Sequence, residues 1–132
     1  MKYMLLMQFG AQSDLAPMHT WAPEEVTAHL DFMKEFHAEL TEEGELVGGE
    51  GLADPGQART VRAGSNGAPV VTDGPYPETK EFLMGYWIVD CETEQRAHEL
   101  AARASAAPGP GGRPANMPIE VRQVMSAPPA DL

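Results

Sequence analysis

The strand that decides the fold is Phe-Leu-Met-Gly-Tyr-Trp-Ile-Val-Asp, residues 82–90. Successive side chains of a strand point to opposite faces of a sheet. One face therefore carries Phe82, Met84, Tyr86 and Ile88, and the other carries Leu83, Trp87 and Val89. Both sets are apolar, so the sequence predicts a sheet that is covered on both sides.

Upstream of this strand, the most regular pattern is that of a long amphipathic helix. It is expected to begin at Pro23, which suits a first helical turn, and to end at Gly44. Its apolar residues recur at spacings of three and four, namely Val26, Leu30, Met33, Phe36 and Leu40. This spacing predicts one face turned towards the core. A second helix is predicted over about 93–104.

Shorter strands and loops complete the pattern. Strands are predicted at 3–9, 45–52, 58–62, 69–72 and 119–125, with a hairpin turn at 64–67 and long loops at 10–22 and 106–118. The strand at 45–52 is rich in glycine, which indicates a bulge or the close approach of another backbone.

The order of these elements is β-α-β, a hairpin, then β-α-β. It predicts an α+β domain with a ferredoxin-like βαββαβ core, an extra hairpin, and two helices on one face of an antiparallel sheet. A single domain is expected over 1–126, followed by a frayed tail at 127–132.

Two helices of this length cover only one face of such a sheet. Leaving a large apolar side chain such as Trp87 or Tyr86 in water forgoes about 1.5–3 kcal/mol. A second copy of the sheet, packed face to face, is the simplest cover and predicts a homodimer. The alternative is that the loops at 10–22 and 105–118 fold over that face.

Composition excludes several classes of function. The net charge of −11, with nine scattered basic residues, argues against nucleic-acid binding. A lone Cys91 excludes an intramolecular disulfide or a cysteine zinc cluster. Because there is neither an apolar run of about 20 residues nor a secretory signal, we expect a cytoplasmic protein without a membrane segment. No phosphate-binding glycine loop or metal-ligand spacing appears, so neither a cofactor nor a metal is expected.

The most distinctive run is Asp-Gly-Pro-Tyr-Pro-Glu-Thr-Lys-Glu, residues 73–81. It places four ionisable groups and a phenol in nine residues whose backbone is stiffened by two prolines. Rigid loops at strand ends commonly carry functional groups. The alternative is a stiff turn whose charges are merely solvated.

This run resembles the DGPF-type motif of the YCII-related family, in which Asp-Gly-Pro-Phe precedes an Glu-Thr-Lys-Glu stretch. Stretches similar to the family also occur at 1–7, 49–52, 60–62, 85–86 and 119–122. The chain departs from the family pattern by Tyr76, which stands where Phe is usual, and by a Pro/Gly-rich insertion before the last strand.

The resemblance implies a dimeric α/β-barrel with a ferredoxin-like fold. It also implies relatives that act as enzymes through a His–Asp pair, and a branch linked to extracytoplasmic-function sigma factors. Asp73 matches the acid of the motif. The histidine of the pair is not assigned by the motif, because no His of this chain falls in one.

Helix geometry selects among the histidines instead. His37 falls inside the apolar arc of the first helix and His29 falls beside it. The two lie about 12 Å apart along the axis, too far to share one metal ion. His37 is therefore either a hydrogen-bonded core residue or a pocket residue that pairs with Asp73 as a general base.

Charged residues inside strands are the third candidate set. Arg122 is expected to form an ion pair with Glu50 or Glu120, or to hold a ligand carboxylate. A row of carboxylates also runs along the first helix at four-residue spacing, namely Asp31, Glu35, Glu39 and Glu43. It is either a solvated face or a docking surface for a basic partner.

The leading hypothesis is a small-molecule-binding protein or a small metal-independent enzyme that uses acid–base chemistry. Asp73 and His37 are its catalytic candidates, and the substrate-binding candidates are Tyr76, Lys80, Glu50 and Arg122. The rival hypothesis is a regulatory protein, for example one associated with an extracytoplasmic-function sigma factor, that binds a partner through the acidic helix face.

Overall fold

The computed structural model describes residues 1–10, 15–53, 55–74 and 81–125. Its helices are α1 (Pro23–Glu42) and α2 (Glu94–Ser105). Its strands are β1 (Lys2–Gly10), β2 (Leu46–Gly51), β3 (Arg59–Ala63), β4 (Pro69–Asp73), β5 (Glu81–Asp90) and β6 (Ile119–Gln123). The predicted tail at 127–132 lies outside the described residues.

Four strands form an antiparallel sheet in the order β2-β5-β1-β6, with the predicted strand β5 at its centre. β3 and β4 pair with each other in a separate two-stranded sheet. The prediction of a mixed α+β fold with an antiparallel sheet and two helices is confirmed, and the strand order is compatible with a ferredoxin-like fold.

The core lies between the two helices and one face of the sheet. Leu5 pairs with Trp87 and Tyr3 pairs with Val89, so these four side chains share the face that packs on the helices. The helices contribute Phe36, Leu40, Ala97, Leu100, Ala101 and Ala104 to the same cluster. We call the opposite face of the sheet the outer face.

The predicted alternation of β5 is wrong at Phe82 and Leu83, which lie beyond a register shift. The register between β1 and β5 shifts after Met7, so that Gln8 pairs with Leu83. The Gln8 amide donates to Glu120, which pairs with the outer-face residue Leu6. Leu83 therefore lies on the outer face and not beside Trp87, because the extra residue of a bulge reverses the alternation beyond it.

The predicted helix α1 is confirmed, but its buried face is rotated. Leu30, expected to face the core, is 53% exposed, whereas His29 is buried. The reason is a polar contact, since Nδ1 of His29 donates to the Pro108 carbonyl at 2.9 Å. The edge of the Trp21 ring also contacts His29.

The Pro/Gly-rich loop at 106–118 docks against the N-terminal part of α1. The Glu25 carboxylate accepts hydrogen bonds from the N–H groups of Gly111 and Ala22, which lower the pKa of Glu25. The Ser105 hydroxyl holds the far end of the loop by donating to the Met117 carbonyl. These contacts place the loop on the helix side of the molecule.

Within the described ranges, neither helix combines the length and the apolar character that crossing a bilayer requires.

Candidate functional site

The edge strand β2 approaches β5 through glycines. A Cβ added to Gly49 would lie 2.7 Å from the Tyr86 carbonyl oxygen and 3.1 Å from Cδ1 of Trp87. Only glycine lets the indole of Trp87 lie this close to β2. The expectation of a close backbone approach in this strand is confirmed.

The indole of Trp87 reaches α1. Its Nε1–H donates to Nε2 of His37 at 2.5 Å, and the two rings are nearly perpendicular. Trp87 is 4% exposed and His37 is partly exposed. The edge-to-face contact with Phe36, with ring centroids 5.7 Å apart, holds the indole from another side. His37 is thus anchored by a buried tryptophan while part of its ring reaches solvent.

Beside this pair, β2 and β5 carry glycines on the helix face of the sheet. Gly51, two residues after Gly49 on the same face of β2, pairs with Gly85. A Cβ added to Gly51 would meet no atom within 4 Å. Met33 lies one helical turn before His37 on α1 and is partly buried against the core. We call this the α1–β2 recess, defined by His37, Met33, Gly49, Gly51 and Gly85.

Asp73 ends β4 and lies in the two-stranded sheet. Its carboxylate is 97% exposed and pairs with Arg59 on β3, with 3.4 Å between Nε and Oδ1. No contact between described residues joins Asp73 to His37. The predicted binding residues Tyr76 and Lys80 lie outside the described residues.

The charged residues predicted inside strands, Glu50, Glu120 and Arg122, lie on the outer face. Neighbouring strands place Glu50, Tyr86, Leu6 and Glu120 in one row across the sheet. Arg122 forms its ion pair with Glu120, whose other oxygen accepts from Gln8. Glu50 is on the opposite edge strand, so the structure selects Glu120 from the two predicted partners of Arg122.

Comparison with known proteins agrees with this architecture. The family model of the YCII-related domain matches residues 1–112. The chain belongs to the YCII-related family. It is also similar to an uncharacterised protein of Rhizobium meliloti (strain 1021), with 29% identity over 120 residues that cover 91% of this chain and 92% of that protein.

The row of carboxylates along α1 in this YCII-related chain forms ion pairs with α2. Glu39 pairs with Arg103, and Glu43 pairs with Arg96 at 2.9 Å. Asp31 and Glu35, the other two members of the row, are exposed.

Arg96 forms ion pairs with three carboxylates of the described residues, those of Glu43, Glu45 and Glu99. Its Nε and Nη2 donate to the two oxygens of Glu45 at 3.0 and 2.8 Å. These hydrogen bonds lower the pKa of Glu45 and raise that of Arg96. Because Glu45 lies between α1 and β2 and is 15% exposed, the cluster ties α2 to the entry of the edge strand.

Sequence reasoning selected His37 but missed its partner. The sequence places Trp87 on one of the two apolar faces of its strand, and it predicts a bulge or a close backbone approach in the strand at 45–52. The hydrogen bond between Trp87 and His37 depends on the register of β2 on β5 and on the rotation of α1. Neither of these can be predicted from a local sequence pattern.

Proposed function

We propose that this YCII-related protein binds a small organic molecule in the α1–β2 recess, as a binding protein or as a metal-independent enzyme that uses acid–base chemistry. One observation carries the proposal. The partly exposed imidazole of His37 is fixed by buried Trp87 next to backbone that bears no side chains. A fixed polar group beside free space is what a small ligand site requires.

The loop at 73–81, which we assign to the DGPF branch, is proposed to supply the remaining polar groups. It leads directly into β5, whose Gly85 and Trp87 border the recess. In this proposal Asp73 is the acid–base or ligand-orienting carboxylate, and Tyr76 and Lys80 act beside it. Binding would then move Asp73 away from its exposed ion pair with Arg59.

The outer face is proposed to pair with a second copy of the chain in a barrel-like dimer. It presents two neighbouring cross-strand pairs, Met4 with Ile88 and Leu6 with Tyr86. The helices pack on the other face, and the loop at 106–118 contacts α1. In this dimer Glu50 and Arg122, which lie at opposite edges of the outer face, would act at the interface and not in the recess.

A metabolite library screened by thermal shift tests the ligand proposal. We expect a compound that stabilises the wild-type protein, because a ligand that binds only the folded state raises its stability. The shift should be lost in His37→Gln and in Asp73→Asn, and kept in the control His98→Gln on the exposed side of α2. No hits, combined with salt-sensitive binding of a basic protein, would favour the regulatory hypothesis instead.

A further inference from the structure

We propose that Trp87 is a positioning residue that fixes the tautomer of His37, so that the imidazole presents a hydrogen-bond donor at Nδ1. The indole nitrogen is a donor only, so the ring nitrogen that it contacts must accept. A neutral imidazole with an accepting Nε2 carries its single proton on Nδ1. The contact between the two rings therefore sets the chemistry of the atom that remains for a ligand.

The surroundings of the indole hold it in this role. Gly49 lies under the ring at a distance that leaves no room for a Cβ, and Phe36 packs edge-on against it. Trp87 is also paired with Leu5 inside the core. The indole is fixed on three sides, whereas His37 lies on a helix surface, so the tryptophan orients the histidine and not the reverse.

The fixed tautomer restricts the ligand, and this step rests on the proposed function of the recess. While Nε2 accepts from Trp87, it does not remove a proton from a substrate. His37 then donates from Nδ1, and its matching ligand carries an acceptor oxygen such as a carboxylate, an enolate or a ketone. Any proton abstraction falls to another group, for which Asp73 is the candidate under the proposed function.

Long-range ¹⁵N–¹H NMR of the imidazoles in the ligand-free wild-type protein tests the tautomer. His29 is an internal reference, because its Nδ1 faces the Pro108 carbonyl and must donate. We expect His37 to show the same Nδ1–H pattern as His29. A predominant Nε2–H pattern at His37 in the wild-type protein would overturn the inference.

Trp87→Phe removes the indole donor and keeps an aromatic, although smaller, side chain, and His29 reports whether the loss of volume disturbs the packing in general. One hydrogen bond of ordinary net strength biases the tautomer ratio on the order of fivefold. We expect the ratio of the Nδ1–H to the Nε2–H tautomer of His37 to drop by about that factor, while the pattern of His29 stays unchanged. An unchanged ratio at His37 would show that Trp87 does not set the tautomer.

Two probes with the same ring test the donor role. Benzoate offers an acceptor, and benzylamine, which is protonated at neutral pH, offers only donors. At equal ionic strength, benzoate should shift the His37 Nδ1–H signal and benzylamine should not. An equal response to both compounds, or none, overturns the donor role. A failure of the library screen with an Nδ1–H wild-type spectrum would count against the proposed function and leave the tautomer established.

Discussion

Replacing Gly49 by alanine tests the packing on which the recess depends. The added Cβ would lie 2.7 Å from the Tyr86 carbonyl oxygen and 3.2 Å from Cα of Trp87, so it meets backbone that cannot rotate away. Overpacking of this kind costs about 1–3 kcal/mol, and the stiffer unfolded chain returns about 0.4–1 kcal/mol. We expect the free energy of unfolding to fall by about 1–2 kcal/mol.

Urea unfolding followed by circular dichroism measures this loss. Gly48→Ala is the matched control, because it adds the same methyl group to the same strand and would meet no atom within 4 Å. The control should keep the wild-type midpoint or exceed it slightly. If Gly49→Ala proved as stable as Gly48→Ala, the close approach of the indole to β2 would be refuted, and with it the anchoring of His37.

Four further predictions concern the ion-pair cluster, the buried thiol and the outer face. Arg96→Met should lower the free energy of unfolding by about 2 kcal/mol, because Glu45 loses two hydrogen bonds; equal urea midpoints for Arg96→Met and the exposed control Lys34→Gln would contradict this. The hydrogen bond from Arg96 lowers the pKa of Glu45, so its contribution is complete above the ordinary carboxyl pKa and is lost as the pH falls below it. Unfolding across the acidic range should therefore depend less on pH in Glu45→Gln, and identical pH profiles would exclude the coupling. Burial raises the pKa of the Cys91 thiol, so iodoacetamide should alkylate it slowly in the native protein and fast in urea; fast native alkylation would show an accessible thiolate. Ile88→Glu should convert the proposed dimer into a monomer in sedimentation velocity, and a wild-type protein that is monomeric at high concentration would rule out the dimer.

Much of the fold follows from local patterns in the sequence. Alternating and periodic apolar residues predict β5 as a strand that is apolar on both faces and α1 as a helix with one apolar face, because burial repeats every two residues in a strand and about every 3.6 in a helix. The glycines of the strand at 45–52 indicate a bulge or a close backbone approach, and the structure shows a close approach at Gly49 and a register shift between Leu46 and Gly48.

The errors arise where a non-local contact determines which side chains of a helix or strand face the core. Leu30 of α1 is expected in the core but is exposed. His29 is buried in its place, because it donates a hydrogen bond to the Pro108 carbonyl. Leu83 was placed on the wrong face because the bulge depends on pairing with β1 and has no signature in β5 itself.

The candidate site was less predictable than the fold. His37 followed from the helix period, whereas its bond to Trp87 depends on two elements that are 50 residues apart in the chain. The proposed pairing of His37 with Asp73 stays a prediction, since Asp73 lies in a separate two-stranded sheet and pairs there with Arg59.

The location of a bound ligand tests the account most directly. Amide ¹H–¹⁵N spectra of the protein titrated with a compound from the library would report it, because the recess is built from glycines whose signals resolve well. We predict that Gly49, Gly51 and Gly85 shift on binding, while Gly64 and Gly67 in the turn between β3 and β4 do not. Shifts confined to that turn or to the outer face would contradict a ligand site beside His37.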